Sequence, residues 1–74
     1  MELQIKLFAT LREGRGKIVN KEFPSPITPK QVLESLNIHE EDVAILLVNG
    51  VDGKLDQTLE DGDVLSIFPP VGGG

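Results

Sequence analysis

Only one stretch of this sequence carries the marks of a helix, and it is too short to stand alone. Thr28 can cap it, Pro29 fits its first position, and Gln31, three residues after the cap, can reach back to the Thr28 backbone N–H. Ile27 and Val32 stand where a hydrophobic staple would put them. Val32, Leu33 and Leu36 then recur at helical spacing, and Asn37 suits a left-handed stop. The spacing predicts an amphipathic helix over 28–36. That is below the ~12–15 residues that hold in isolation, so the helix must lean on a sheet.

The sheet is written on either side of it. In residues 2–9 Leu3, Ile5, Leu7 and Ala9 fall on one face, and Glu2, Gln4, Lys6 and the outlier Phe8 on the other, which reads as a half-buried strand. The polar, glycine-broken Arg12-Glu13-Gly14-Arg15-Gly16 suits a turn, and residues 17–23 suit an antiparallel return strand that Pro24-Ser25-Pro26 ends. After the acidic loop His39-Glu40-Glu41-Asp42, the run Val43 to Val48 reads as a central strand buried on both faces. Asn49-Gly50 and Asp52-Gly53 are turn pairs around a short edge segment, 51–55. Leu59-Glu60-Asp61-Gly62-Asp63 is a further turn, and 64–68 the last strand, with Leu65 and Ile67 inward and Val64, Ser66 and Phe68 outward.

Two strands, a helix and two or three more strands imply an α+β fold, a mixed sheet with one main helix on one face. The expected architecture is a β-grasp domain over 1–68 with a flexible tail, 69–74. If the first and last strands pair in parallel at the centre, as that architecture requires, Phe8 and Phe68 come together on the face the helix leaves open.

Size and composition narrow the function. A chain of 74 residues has room for one domain, which without staples is worth roughly 3–5 kcal/mol. It has no cysteine, so disulfides, thiolate zinc sites and thiol nucleophiles are excluded, which fits a reducing, cytoplasmic setting. Twelve acidic residues against seven basic, a net charge of −5, argue against nucleic acid as a partner. The longest apolar run, Val43 to Val48, falls far short of the roughly 20 residues of a membrane span, and no signal peptide is read at the N-terminus. The charge is also uneven: residues 1–30 carry +3 and residues 31–74 carry −8. The acidic part, with Glu60, Asp61 and Asp63 beside the last strand, is expected to steer the domain toward basic partner surfaces.

Past Phe68 the chain reads Pro69-Pro70-Val71-Gly72-Gly73-Gly74. Two prolines make a stiff base, and glycines make an end without side chains that fits a narrow channel. Fully extended, such a tail reaches about 20 Å. The carboxylate of Gly74 is then the distinctive reactive group. Ionised, it is a poor electrophile; activated as an acyl-adenylate it can accept a sulfur or amine nucleophile. A chain without cysteine can carry sulfur this way, as a C-terminal thiocarboxylate.

The stretches Leu7-Phe8-Ala9-Thr10-Leu11-Arg12-Glu13, Val48-Asn49-Gly50, Leu59-Glu60-Asp61-Gly62-Asp63 and above all Ile67-Phe68-Pro69-Pro70-Val71-Gly72-Gly73-Gly74 carry a resemblance. The chain resembles the small, sulfur-carrier subunit of molybdopterin synthase, in the ubiquitin-like group that includes the thiamine-pathway sulfur carrier. The resemblance implies that Gly74 is adenylated by a ubiquitin-activating-like adenylyltransferase using ATP and converted to a thiocarboxylate. Gly74 is then inserted with Gly73 into the large subunit, in a heterotetramer of two small and two large subunits, to donate sulfur to precursor Z. It implies a sulfurtransferase subunit that is not catalytic alone and binds no cofactor, with Phe8, Phe68, Pro69, Pro70, Val71 and Gly72 at the partner surface. Other sulfur carriers and ubiquitin-like protein modifiers share the tail chemistry and stand as alternatives.

Other constellations carry less. His39 is the single histidine and lies beside three acids, but no second imidazole or thiolate exists to complete a transition-metal shell. Asp52, Asp56, Asp61 and Asp63 do not match a calcium loop and read as turn formers. Gly14 and Gly16 lack the lysine and hydroxyl of a phosphate loop. No metal site is expected.

Overall fold

The computed structural model describes residues 1–71. Five strands form one mixed sheet: β1 (Glu2–Leu7), β2 (Ile18–Glu22), β3 (Ile45–Val48), β4 (Val51–Asp52) and β5 (Val64–Phe68), in the spatial order β2-β1-β5-β3-β4. β1 and β5 lie parallel at the centre, with Leu7 opposite Ile67, and every other pairing is antiparallel. One α-helix among the described residues, α1 (Pro29–Ser35), crosses one face. This is the β-grasp arrangement.

The local chemistry of α1 follows from its sequence. The Thr28 N–H donates to Gln31 Oε1 at 3.0 Å while Gln31 N donates back to Thr28 Oγ1 at 3.4 Å, so two of the orphan donors at the helix start are satisfied. At the other end Asn37 takes a left-handed φ of 58°, and Ile38 N donates to the Leu33 carbonyl at 2.9 Å while Asn37 N donates to that of Glu34 at 3.1 Å. These are the two bonds of a Schellman stop, sealed by the burial of Leu33 and Ile38. Arg15 adds a clamp: its guanidinium donates to the carbonyls of Leu36, Leu11 and Asn37 at 3.0–3.2 Å, placing a cation on the negative end of the helix.

The core lies between α1 and the sheet. Leu3, Ile5 and Leu7 from β1, Leu65 and Ile67 from β5, and Leu46 and Val48 from β3 face Val32, Leu33, Phe23, Ile27, Ile38 and Leu59, all buried. The inward set on β5 is the one its alternation predicts.

Three expectations are corrected. β3 is not buried on both faces, nor does it include Val43 and Ala44: it covers Ile45–Val48 and lies between β5 and β4, with Leu46 and Val48 buried but Ile45 49% exposed. On the other face Leu47 is half-buried, so the apolar run supplies part of the outer face of the sheet as well as the core. The alternation also fails at Ala9, because β1 stops at Leu7. Ala9 is exposed at φ 52° and opens a 3₁₀ turn, Ala9–Arg12, in which Leu11 N donates to the Phe8 carbonyl. The edge segment is two residues, Val51–Asp52, joined to β3 by Asn49 and Gly50, both at positive φ (54° and 81°) as a type I′ hairpin turn requires. Beyond it Gly53 passes so close to Val48 that a Cβ there would lie 2.6 Å from Val48 Cγ2.

The two kinds of support differ in size. Leu65→Ala opens a cavity at a fully buried centre and is expected to cost about 2–5 kcal/mol, whereas Thr28→Ala removes a cap worth about 1 kcal/mol. Urea unfolding followed by circular dichroism should show a midpoint lowered far more by the first than by the second, with the first close to unfolding in buffer. Equal effects would contradict this description of the core.

Candidate functional site: the root of the C-terminal tail

Because Leu7 lies opposite Ile67 in the parallel pair, the next residue on each strand falls side by side on the open face. Phe8 and Phe68 occupy those places and their rings stack, with centroids 4.1 Å apart and planes inclined by 13°. The separation is tighter than the usual 4.5–7 Å of aromatic pairs. Both rings are half-buried. Across β5 the antiparallel register places Ile45 opposite Phe68, so the three side chains form one apolar row at the end of the sheet where β5 runs out.

The tail leaves from this row. Ala44 N donates to the Phe68 carbonyl at 2.8 Å, the last backbone bond holding β5 before Pro69, which has no N–H to continue it. Pro69 is half-buried, Pro70 exposed, and Val71 95% exposed. On one side of this root lies an apolar groove of about 480 Å³ lined by Phe8, Ile45 and Phe68 together with Ala9, Ala44 and Pro69. Pro69 also borders a second groove of about 510 Å³ of mixed character, in which Glu13, Arg15, Asn37 and Asp42 stand beside Leu11 and Ile38. Gly72, Gly73 and Gly74, named from the sequence as the reactive end, lie outside the described residues.

Two residues at this site carry no signal in the sequence pattern. The Arg12 side chain turns back so that Nε donates to the Leu7 carbonyl at 2.8 Å, the last carbonyl of β1, and the guanidinium carbon lies 5.4 Å from the centre of the Phe8 ring. That places a cation on one member of the aromatic pair. Ile45 follows from parity: once Leu46 and Val48 point inward, Ile45 and Leu47 must point out.

The acidic turn beside the last strand is elsewhere. Asp61 Oδ1 accepts from Glu2 N at 2.7 Å, and Asp63 accepts from Asn49 Nδ2 at 2.9 Å and from Glu60 N at 2.8 Å, so these acids shape the turn. They sit at the start of β5 while the tail leaves from its end, about 16 Å away at the rise of a strand. Glu60, Asp61 and Asp63 therefore do not flank the tail; Glu13 and Asp42 are the acids at its root. His39 is exposed, and among the described residues no three His, Cys, Asp or Glu side chains lie close enough together to hold a metal ion. No helix of the described residues is long and apolar enough to cross a membrane.

The stack is expected to couple the two residues energetically. A double-mutant cycle with Phe8→Ala and Phe68→Ala, read by urea unfolding, should give an interaction of ~0.5–1.5 kcal/mol. A value near zero would mean the rings contribute independently.

Comparison with known proteins gives a consistent picture. The sequence profile describing the ThiS family matches residues 5–74. Small archaeal modifier protein 3 of Haloferax volcanii is 34% identical over an alignment of 93 positions that covers all of both chains. Among solved structures, SAMP1 of Haloferax volcanii is similar at a TM-score of 0.80 and 27% identity, covering 100% of both chains. A putative molybdopterin converting factor, subunit 1, of Pyrococcus furiosus is similar at a TM-score of 0.78 and 28% identity, over 96% of this chain and 99% of that one.

Proposed function

We propose that this chain, which belongs to the ThiS family of small ubiquitin-like proteins, is a sulfur carrier that works through the carboxylate of Gly74. In the first step that carboxylate attacks the α-phosphorus of ATP on a ubiquitin-activating-like adenylyltransferase, giving an acyl-adenylate and releasing pyrophosphate. Sulfide, as HS⁻ from a sulfur donor, then attacks the acyl carbon and displaces AMP, leaving a thiocarboxylate. Entering the large subunit of molybdopterin synthase with Gly73, the thiocarboxylate bonds through its sulfur to precursor Z, and water hydrolyses the thioester so formed, leaving the sulfur on the acceptor and restoring the carboxylate of Gly74.

The observation that supports this reading is the setting of the tail root. Phe68-Pro69-Pro70-Val71 leaves the sheet at an apolar row with a groove beside it, so a partner can grip the domain by its open face while the end of the chain reaches into an active site. Phe8, Phe68, Pro69, Pro70, Val71 and Gly72 are the partner contacts in this reading. The Pyrococcus furiosus neighbour, named as a converting-factor subunit, supports the molybdopterin branch.

A second reading has its own support, since the 34% identical relative is named a modifier protein. There the nucleophile on the acyl-adenylate is a lysine amine of another protein, AMP leaves, and the product is an isopeptide. The two readings share activation and part at the acceptor.

Intact mass spectrometry separates them. With ATP, the adenylyltransferase and a sulfur donor, the chain should gain the mass difference of sulfur for oxygen, and removal of Gly74 should abolish the gain while leaving the fold intact. A chain that stays unchanged in mass but appears as lysine-linked adducts on other proteins would favour the modifier. The charge asymmetry makes a separate claim. The sheet order places β2 and β1, from the basic part of the sequence, at one edge and β3 and β4, from the acidic part, at the other, while the acidic turn of Glu60, Asp61 and Asp63 lies against β1 through the Glu2–Asp61 bond. Association with the adenylyltransferase should slow with added salt, and a rate indifferent to salt would contradict steering by that charge.

A further inference from the structure

We infer that Arg12 is a positioning residue for the tail, acting through Phe8 and Phe68 to fix the direction in which Pro69 leaves the sheet. The inference rests on the reading that the end of this chain is delivered to a partner's active site.

Three contacts form a chain from the end of β1 to the end of β5. Arg12 Nε donates to the Leu7 carbonyl at 2.8 Å, which anchors the guanidinium to backbone rather than leaving it to solvent. The same guanidinium lies 5.4 Å from the centre of the Phe8 ring. That ring is stacked on Phe68 at 4.1 Å. A cation over one ring draws on its π-electron density, which offsets the repulsion between like ring quadrupoles in so close a pair.

The backbone is bent to make this possible. Ala9, a non-glycine residue, is held at φ 52°, and the 3₁₀ turn that follows brings Arg12 back over the strand it has just left. Such a conformation is costly for a residue with a Cβ, and it persists where surrounding contacts over-determine it. Arg12 supplies two of those contacts.

Phe68 is the last residue of β5 and is followed by two prolines of fixed φ. The packing of its ring on Phe8 therefore adds to the Ala44 N–H bond to the Phe68 carbonyl in holding the residue from which a stiff segment starts. If the pair loosens, the root samples more directions and the fraction of molecules with a competent tail falls. Apparent affinity for the partner falls by that fraction, while turnover of the bound complex does not.

The test uses the full chain as wild type, Arg12→Ala and Arg12→Lys. In nuclear magnetic resonance spectra, Arg12→Ala should move the ring-current-shifted signals of Phe8 and Phe68 toward ordinary values and lower the order parameter of the Val71 methyl groups. In ATP-dependent pyrophosphate release by the adenylyltransferase it should raise KM for the chain several-fold at unchanged kcat. Arg12→Lys, which keeps a cation, should recover part of both. A raised KM with unchanged ring and Val71 signals would make Arg12 a direct partner contact and overturn the inference. Changed signals with unchanged KM would overturn it as well. The spectra need no activating enzyme, so a wild-type chain that is never adenylated would end the carrier reading while the positioning contact is judged on the spectra alone; unchanged spectra with normal adenylation would do the reverse.

Discussion

The parallel pairing of β1 with β5 is the interaction on which the rest of the structure depends. It places Leu3, Ile5 and Leu7 beside Leu65 and Ile67 under α1, and these residues make the centre of the core. The same register carries Phe8 beside Phe68 on the other face. A slip by one residue would turn the inward set outward and separate the aromatic pair at once. Stability and the geometry of the tail root therefore rest on a single alignment of two strands that are distant in sequence.

Much of this was legible in the sequence because the signals are local or periodic. The capping box at Thr28 and Gln31, the left-handed stop at Asn37 and the inward pair Leu65 and Ile67 each follow from chemistry within a few residues. The meeting of Phe8 and Phe68 followed from alternation once a parallel centre was assumed. A continuous apolar run has no phase, however, so Val43 to Val48 could not say which side of β3 would be left open. Alternation gave Ala9 an inward place because it does not mark where a strand stops. Arg15 reaches the carbonyls of Leu36 and Asn37, more than twenty residues away, and no spacing rule encodes such a contact. The acidic turn is close to the tail in sequence, but β5 runs between them.

The division of labour in the molecule is simple. A small core holds the sheet, the sheet presents an apolar row at one end, and the chain leaves from that row at Pro69. In both proposed readings the domain supplies recognition and direction, and the terminus supplies the reacting atom. Membership in the ThiS family gives this arrangement its chemical meaning, and the carrier and modifier readings differ only in which nucleophile meets the activated carboxyl group.

Activation of that carboxyl group is the step common to both. Its most direct measure is ATP–pyrophosphate exchange by the adenylyltransferase of the same organism, with the chain carrying either a free carboxyl terminus or the corresponding amide. Exchange that appears with the free terminus and is absent with the amide is the result predicted. Exchange that does not respond to the chain, or that proceeds equally with the amide, would contradict the claim that this protein works through its last residue.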